Sequence, residues 1–469
     1  MSHNFRLLID GKLVDGAKSL NVINPATGES FITVARADQD QTFTAIAAAK
    51  VAFPYWASKS YAERASYIVR FANGIEARSD EFVTMLTREQ GKPLAQARFE
   101  VDLAIAQLRY HASQELKPHI IRETKGEMIV EQFYPLGVVA AIAPWNFPVW
   151  ILIAKVGGAL MTGNTVIAKP APTTPVTTLM LGEVASDIFP SGVFQTLVDE
   201  NDLGDVLTSH PDVAFVSFTG STITGKKVLS SAVPTLKRTS LELGGNDAAI
   251  VLDDVDIKAV ARKVYSAGFL NAGQICFSAK RVYVPNSIIA AFVAELAILA
   301  KEEKLGDGLD SSTTIGPVQN KAQYDKVRGY IEEARTKGSV ISEGEEVPRI
   351  GYFIRPTIVT GLADDDRLVS EEQFGPVMPV LGYDDLEDAI GRANNTVFGL
   401  GATIWTSNIE RGISVGSRIE AGTVWINTSL SLPFDVPFGG AKQSGIGKQG
   451  GVDGMKDYTQ VRIVNAMLN

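Results

Sequence analysis

Short apolar runs alternate with longer segments of helical periodicity through the middle of the chain. Between residues 137 and 252 the runs read GVVAAIAP, TVIAK, VFQTLV, VAFVSF and AAIVL. They are apolar nearly throughout, as strands are when helices cover both faces of a parallel sheet. Segments such as TTPVTTLMLGEVASDIF lie between them and space their apolar side chains as a helix does. This βαβ alternation predicts a parallel α/β sheet.

A second series of the same kind begins at residue 281. RVYVP precedes the helical segment SIIAAFVAELAILAKEEK, and GATIWT and GTVWIN follow later. We therefore predict two α/β domains that meet near residues 240–247. Residues 120–134 indicate a hairpin, and residues 458–468 alternate like an edge strand. These two segments predict a further small β element.

Composition narrows the possible partners. The chain has 469 residues, 45% of them hydrophobic, a net charge of −9 and no long run of basic residues. We therefore expect neither nucleic acid nor a membrane surface as a partner. The most apolar tract, residues 145–169, is interrupted by polar residues and does not fit a bilayer span. The polar start lacks the apolar segment of a signal peptide, so we expect a cytoplasmic protein.

The only cysteine, Cys276, lies in the irregular stretch FLNAGQICFSAKR. A lone cysteine forms no internal disulfide, and no metal site is expected from the Cys and His pattern. Free cysteines are most often small buried hydrophobes. The small polar neighbours favour a reactive thiol instead, because a thiolate needs solvent access and suitable dipoles. Glu242, in LELGGND, is favoured as its partner base, and a histidine brought close by folding is the alternative.

Two glycine- and proline-rich turns also suggest binding sites. In APWNFP, Asn146 could direct an amide N–H at an oxyanion, and the alternative is a rigid turn around a buried tryptophan. In FTGSTITGKK, Lys227 stands where a P-loop needs Ser or Thr for magnesium, so a nucleoside triphosphatase is not expected. The turn can still present N–H groups to a diphosphate. No complete G-x-G-x-x-G follows a strand, so an ordinary Rossmann site is not indicated.

Several motifs occur together in one order along the chain: NPATGE, PLGVV, PWNFP, KPAP, FTGSTITG, LELGG, NAGQIC, EEQFGPV and PFGG. In this combination the chain resembles the aldehyde dehydrogenase superfamily over nearly its whole length. The separation of 34 residues between Glu242 and Cys276 also resembles the family's spacing.

The resemblance implies an α/β fold with two parallel-sheet domains, a Rossmann-like cofactor domain and a catalytic domain, plus a small β oligomerisation element. It assigns residues 1–118 and 136–242 to NAD(P) binding, 243–445 to the catalytic domain, and 119–135 and 446–469 to the oligomerisation element. A homodimer or homotetramer is expected to assemble through that element.

The resemblance also implies a hydrolytic mechanism. Cys276 would attack an aldehyde to give a thiohemiacetal, with the oxyanion held by Asn146 and the backbone N–H of Cys276. Hydride transfer to nicotinamide would leave a thioester, which water activated by Glu242 would hydrolyse. One alternative is an acylating enzyme that passes the thioester to coenzyme A, but such relatives generally lack the base. Another is a non-catalytic dinucleotide-binding or structural protein, which the presence of all three residues makes less favoured.

By resemblance, the residues along the dinucleotide are Ile142, Trp145, Lys169 at the adenosine ribose, Gly220 and Ser221 near the diphosphate, Leu243 at the nicotinamide, and Glu372 and Phe374 at its ribose. Pro172 departs from the family, because many NAD-preferring members carry a glutamate there. A 2′-phosphate would meet no like charge from this position, so both NAD and NADP are admitted.

The substrate pocket implied by the resemblance is apolar and comprises Trp150, Ile151, Phe277, Leu430, Leu432 and Phe438. A carboxylated aldehyde would need an added arginine, and Arg281 is expected to be structural. We therefore predict an aliphatic or aromatic aldehyde. Gln449 replaces a second glutamate of many members. Lys155 matches a lysine that can relay protons, with a structural role as the alternative.

Overall fold

The computed structural model describes residues 4–341, 344 and 346–468. The strands are β1 (Leu7–Ile9), β2 (Lys12–Val14), β3 (Lys18–Asn24), β4 (Glu29–Arg36), β5 (His119–Glu123), β6 (Glu127–Pro135), β7 (Val138–Ile142), β8 (Thr165–Lys169), β9 (Phe194–Thr196), β10 (Val213–Thr219), β11 (Arg238–Glu242), β12 (Ala248–Val251), β13 (Arg281–Pro285), β14 (Ser339–Ile341), β15 (Thr357–Thr360), β16 (Val377–Tyr383), β17 (Gly401–Trp405), β18 (Thr423–Ile426), β19 (Gly445–Ile446) and β20 (Thr459–Met467).

The helices are α1 (Gln39–Ala57), α2 (Tyr61–Ala77), α3 (Ser79–Gln90), α4 (Leu94–Ala112), α5 (Pro148–Met161), α6 (Val176–Ser186), α7 (Gly204–Ser209), α8 (Thr222–Ala232), α9 (Ile257–Phe269), α10 (Ile289–Glu302), α11 (Lys321–Arg335), α12 (Arg367–Ser370), α13 (Leu386–Asn394), α14 (Ile409–Gly416) and α15 (Gly451–Lys456). Within the described residues, no helix is both long and apolar enough to cross a membrane.

A six-stranded sheet has the order β19-β11-β10-β7-β8-β9, with β7 to β11 parallel and β19 antiparallel. From β7 the chain runs outward through β8 and β9, then returns to the other side of β7 with β10 and β11. The strand order therefore reverses between β7 and β10. In open α/β sheets a ligand crevice forms at the carboxyl ends of the strands at such a reversal.

The second large sheet has the order β14-β15-β16-β13-β12-β17-β18 and is parallel except for β14. The chain passes from the carboxyl end of β11 to the amino end of β12 through residues 243–247 alone. Carboxyl ends of the first sheet therefore lie beside amino ends of the second. The prediction of an α/β fold with two parallel sheets is confirmed.

A third, antiparallel sheet has the order β20-β6-β5, and β6 pairs along its whole length with β20. The predicted hairpin and edge strand are therefore present and lie in one sheet. Several large apolar side chains of this sheet are exposed, including Ile120, Ile121, Val461 and Ile463.

Helices cover both faces of the six-stranded sheet and bury its core. Trp56 at the end of α1 is fully buried, and its indole N–H donates to the carbonyl of Leu160 at 3.0 Å. Its ring meets Tyr67 and Phe189 edge-on. This packing connects α1 with α2 and with the end of α5.

Candidate active site

The predicted catalytic residues come from three loops at the junction of the two large sheets. Asn146 follows β7, Glu242 ends β11, and Cys276 precedes β13. The first two therefore lie at carboxyl ends of parallel strands, where α/β sheets place their ligands. Cys276 reaches the same place from the amino edge of the second sheet.

The backbone before Cys276 has an unusual conformation. Helix α9 ends at Phe269, and Asn271, Ala272 and Gly273 then have φ values of +53°, +54° and +71°. Left-handed backbone is uncommon for residues with a Cβ and often occurs at functional sites. At Gly273 a Cβ would lie 2.3 Å from the carbonyl oxygen of Gly375, so only glycine fits.

Hydrogen bonds on both sides of Cys276 hold this loop in place. The Ser278 hydroxyl donates to the carbonyl of Ala267 at 2.8 Å, and Lys280 Nζ donates to the carbonyl of Gly273 at 2.9 Å. Ser278 and Lys280 are buried. The thiol is thus presented by a fixed loop, although Cys276 itself remains partly exposed.

Asn146 connects the turn after β7 to the cysteine loop. It is 3% exposed, and its Nδ2 donates to the carbonyl of Gln274 at 2.9 Å. Its own carbonyl accepts from Asn271 Nδ2 at 3.1 Å and from Lys92 Nζ at 2.9 Å. The side-chain amide is therefore fixed beside the loop that carries Cys276.

Two cavities meet at Cys276. The first has an empty volume of about 620 Å³ and is lined by Gln107, Trp150, Ile151, Ala154, Thr219, Glu242, Cys276, Phe277, Leu432, Pro433, Phe434, Val436, Phe438, Gln449 and Gly450. The second measures about 670 Å³ and is lined by Pro144, Trp145, Asn146, Thr219, Gly220, Ser221, Leu243, Gly244, Cys276, Gln323, Lys326, Glu372 and Phe374. Cys276 and Thr219 line both, so the thiol lies on a shared wall.

A long groove of about 1720 Å³ continues from the second cavity along the carboxyl ends of the six-stranded sheet. It shares Trp145, Gly220 and Ser221 with that cavity and extends to Lys169 at the end of β8. Ser221 caps α8, whose first turn has N–H groups available to an anion. The groove fits an elongated anionic ligand such as a dinucleotide, with one end beside the thiol.

All the predicted cofactor residues line the groove or the second cavity. Ile142 and Lys169 line the groove, Leu243, Glu372 and Phe374 line the cavity, and Trp145, Gly220 and Ser221 line both. The Trp145 and Phe374 rings meet edge-on with centroids 5.2 Å apart. Glu372 Oε1 accepts the N–H of Gly245 at 3.0 Å, which fixes the carboxylate near the cavity.

Comparisons with known proteins agree with this arrangement. The profile of the aldehyde dehydrogenase family matches residues 13–464. The chain belongs to the aldehyde dehydrogenase family. The mitochondrial succinate-semialdehyde dehydrogenase of Arabidopsis thaliana is 37% identical over 467 residues, which cover 97% of this chain and 88% of that protein.

Solved aldehyde dehydrogenase structures have the same fold. An NAD⁺ complex of the Bacillus cereus aldehyde dehydrogenase superposes with a TM-score of 0.96 at 34% identity, covering 100% of this chain and 97% of that one. An E. coli NADP-dependent enzyme superposes with a TM-score of 0.96 at 35% identity, covering 99% and 98%. The prediction of an NAD(P)-dependent aldehyde dehydrogenase is confirmed at this level, and the choice of cofactor stays open.

The first of the two cavities in this aldehyde dehydrogenase contains most of the residues predicted for the substrate pocket. Trp150, Ile151, Phe277, Leu432 and Phe438 line it. Leu430 does not, and its backbone is left-handed with φ of +55°.

Other residues of this cavity were not predicted from the sequence. Gln107 on α4, Phe434 and Val436 line it without belonging to any motif. Arg281 instead donates to the backbone carbonyls of Asn246 and Ala393 at 2.8 and 2.9 Å and lines neither of the two cavities that meet at Cys276.

The environment of Cys276 disfavours its thiolate in the free enzyme. Burial raises the pKa of the thiol, and the carboxylates of Glu372, Asp247 and Glu242 raise it further, whereas Lys280 opposes them. An anion is costly to form near like charges in a poorly solvated site. The thiol is therefore largely protonated at neutral pH.

Glu242 has an unusual carboxyl group. It is 4% exposed, and neither of its oxygens has a hydrogen-bond partner among the described residues. Burial raises its pKa well above the ordinary range and Asp457 adds to this, while Lys155 lowers it. A buried acid without partners, lining the cavity at Cys276, is typical of a general acid or base.

Lys155 is fully buried near this acid. Burial lowers its pKa to about 7, and Glu242 acts in the opposite direction. Its Nζ donates to Ser217 Oγ at 3.2 Å, and that hydroxyl shares a hydrogen bond of 3.0 Å with the Tyr458 hydroxyl. The lysine therefore lies buried between α5 and β10 of the six-stranded sheet and not at a helix surface.

The raised thiol pKa predicts how Cys276 reacts with iodoacetamide. Alkylation of the free enzyme should be slow at pH 7 and accelerate as the pH rises, because only the thiolate reacts. Glu372→Gln removes a like charge, lowers the thiol pKa and should accelerate alkylation at pH 8 by about threefold or more. Because the chain has one cysteine, the mass of the intact protein reports this single site.

Glu371→Gln is the matched control. Glu371 immediately precedes Glu372 in the chain, but its carboxylate contacts Tyr330 and Arg367. Its substitution should leave the alkylation rate nearly unchanged. Equal rates for the two variants, or a wild-type rate that falls with rising pH, would contradict the electrostatic account.

Proposed function

We propose that this enzyme oxidises apolar aldehydes to carboxylic acids with NAD(P)⁺ through a covalent thioester on Cys276. The observation that carries the proposal is the position of the thiol. It lies on the wall between an apolar cavity, which would hold the aldehyde, and the second cavity, from which the groove that fits a dinucleotide continues. Glu242 lines the aldehyde side only.

In the first step the Cys276 thiol gives up its proton to solvent, and Sγ forms a bond to the carbonyl carbon of the aldehyde. The carbonyl oxygen becomes an oxyanion, held by the side-chain amide of Asn146 and the backbone N–H of Cys276. A dinucleotide held by the residues of the groove and the second cavity would supply the oxidant, a nicotinamide ring able to take up hydride from the thiohemiacetal carbon. The product on the enzyme is a thioester of Cys276.

In the second step water cleaves the thioester. Glu242 takes a proton from the water as its oxygen bonds to the acyl carbon, and the C–S bond breaks to release the acid and the thiolate. The raised pKa makes Glu242 a stronger base than an exposed glutamate would be. Its oxygens have no hydrogen-bond partner among the described residues and line the cavity, so a water there could donate to them. This base supports hydrolysis over transfer of the acyl group to coenzyme A.

The cavity lining supports an aliphatic or aromatic substrate. Apart from Glu242 and the thiol, the described residues that line it are apolar or uncharged. Gln107 and Gln449 offer amides, which do not neutralise a second carboxylate as an arginine would. We therefore propose a substrate unlike the one named for the Arabidopsis relative.

The remaining assignments belong to the same proposal. Residues 1–118 and 136–242 would form the NAD(P)-binding domain, residues 243–445 the catalytic domain, and residues 119–135 and 446–469 the oligomerisation element. Exposed apolar side chains on β5, β6 and β20 support a homodimer or homotetramer. A lone thiol with no disulfide supports a cytoplasmic enzyme.

The two chemical steps can be separated by substitution. Glu242→Gln should release about one equivalent of reduced nicotinamide per chain in a burst and then stop, because the thioester forms but is not hydrolysed. Cys276→Ala should give no burst yet still bind the dinucleotide. Stopped-flow absorbance measures the burst, and calorimetry measures binding.

Gln449→Glu serves as a control at a neighbouring cavity position, because Gln449 also lines the aldehyde side but is not the proposed base. It should retain steady-state turnover. Steady turnover by Cys276→Ala, or full turnover by Glu242→Gln, would refute the assigned roles.

Substrate choice follows from the lining. We expect kcat/KM for hexanal to exceed that for succinic semialdehyde by about a hundredfold, since a buried carboxylate without a cation is strongly disfavoured. Comparing the two aldehydes at saturating cofactor measures this ratio. A ratio near one, or a preference for the carboxylated aldehyde, would exclude the apolar pocket.

A further inference from the structure

Lys169, at the adenosine end of the groove, is paired with a buried carboxylate. Its Nζ lies 2.6 Å from Oδ1 of Asp199, and the two side chains are 7% and 1% exposed. Lys169 ends β8, and Asp199 follows the neighbouring strand β9. Asp199 Oδ2 also accepts the N–H of Leu203 at 3.1 Å, so the carboxylate is fixed from both sides.

Other charges near this end of the groove have their own partners or are solvated. Glu200 and Asp202 form ion pairs with Arg36 at 2.7 and 2.6 Å. Asp205 and Lys227 line the groove, but both are exposed. The Lys169–Asp199 pair is therefore the charged group buried beneath this part of the groove.

We propose that Asp199 makes the enzyme selective for NAD⁺ over NADP⁺. Its carboxylate balances the positive charge of Lys169, which would otherwise bind a 2′-phosphate. Pro172 provides no negative charge against a 2′-phosphate. In this chain Asp199, which follows β9, would supply that charge instead. The inference rests on the proposed placement of the adenosine ribose at Lys169.

The two cofactors place different demands on Lys169. The lysine ammonium has three N–H donors. The ammonium forms an ion pair with Asp199 at 2.6 Å, and one N–H donates to the carbonyl of Pro170 at 3.4 Å. Another donor can serve a neutral ribose hydroxyl, as in NAD⁺.

A 2′-phosphate would instead bring about −1.5 to −2 charges to a lysine that is already neutralised. Because Asp199 is buried, solvent ions screen its repulsion only weakly. Exposed Lys227 is the alternative phosphate partner, but a solvated cation contributes little attraction.

The test measures dissociation constants by calorimetry for NAD⁺ and NADP⁺, and for 5′-AMP and 2′,5′-ADP, which differ only in the 2′-phosphate. The wild-type enzyme should bind NAD⁺ and 5′-AMP at least about tenfold more tightly than their 2′-phosphorylated counterparts. Asp199→Asn should reduce both ratios by about tenfold, mainly through tighter binding of NADP⁺ and 2′,5′-ADP.

Asp205→Asn is the matched control, since it removes an exposed carboxylate from the same groove. It should change the ratios less than about twofold, as expected for a solvated charge. Lys227→Ala should also leave them nearly unchanged. Melting curves establish whether each variant is folded.

Wild-type preference for the 2′-phosphorylated ligands would overturn the proposal, and so would unchanged ratios in folded Asp199→Asn. If that variant does not fold, the wild-type ratios decide. A preference for 5′-AMP over 2′,5′-ADP that persists at high salt supports a buried repelling charge. Loss of this preference at high salt contradicts the proposal. Binding of neither mononucleotide would overturn the ribose placement. These results do not depend on aldehyde oxidation, so they separate this inference from the catalytic proposal.

Discussion

The hydrogen bonds around Asn146 hold the site together, because they connect loops that belong to different sheets. The Asn146 side chain donates to the carbonyl of Gln274, and its backbone carbonyl accepts from Asn271 and Lys92. This contact ties the turn that borders the groove to the loop that carries Cys276.

The same junction explains why the site tolerates energetically unfavourable groups. Glu242 is buried without hydrogen bonds, Lys155 is buried with one hydroxyl partner, and the backbone before Cys276 is left-handed. Each feature destabilises the fold locally, and the packed layers on either side hold it in place. Such exceptions to ordinary packing rules cluster where chemistry requires them.

The sequence predicted the sheets well because their signal is local. Runs such as TVIAK are buried at every position, and the structure places this one as β8 between β7 and β9 of the parallel sheet. The placement of Cys276, Glu242 and Asn146 followed from motif resemblance, and the fold brings the three loops to one junction. Their chemical roles remain proposals.

Other features depend on contacts between distant segments and left no local signal. Gln107 lines the first cavity at Cys276 from a helix with ordinary amphipathic spacing. Leu430 was expected to line that cavity but does not, and its backbone is left-handed. The sequence showed that position 172 carries no carboxylate, but not that Asp199, which follows the neighbouring strand β9, reaches Lys169. Charge pairs across a sheet become visible only once the strand order is known.

The most direct test of the central claim is the mass of the protein after reaction. The Glu242→Gln variant is incubated with hexanal and NAD⁺ and then digested with a protease. The mass of the peptide that contains Cys276 is measured by mass spectrometry. The account predicts one hexanoyl group on Cys276 when both ligands are present, and none without NAD⁺. An unmodified cysteine after reduced nicotinamide has formed, or an acyl group on a different residue, would contradict it.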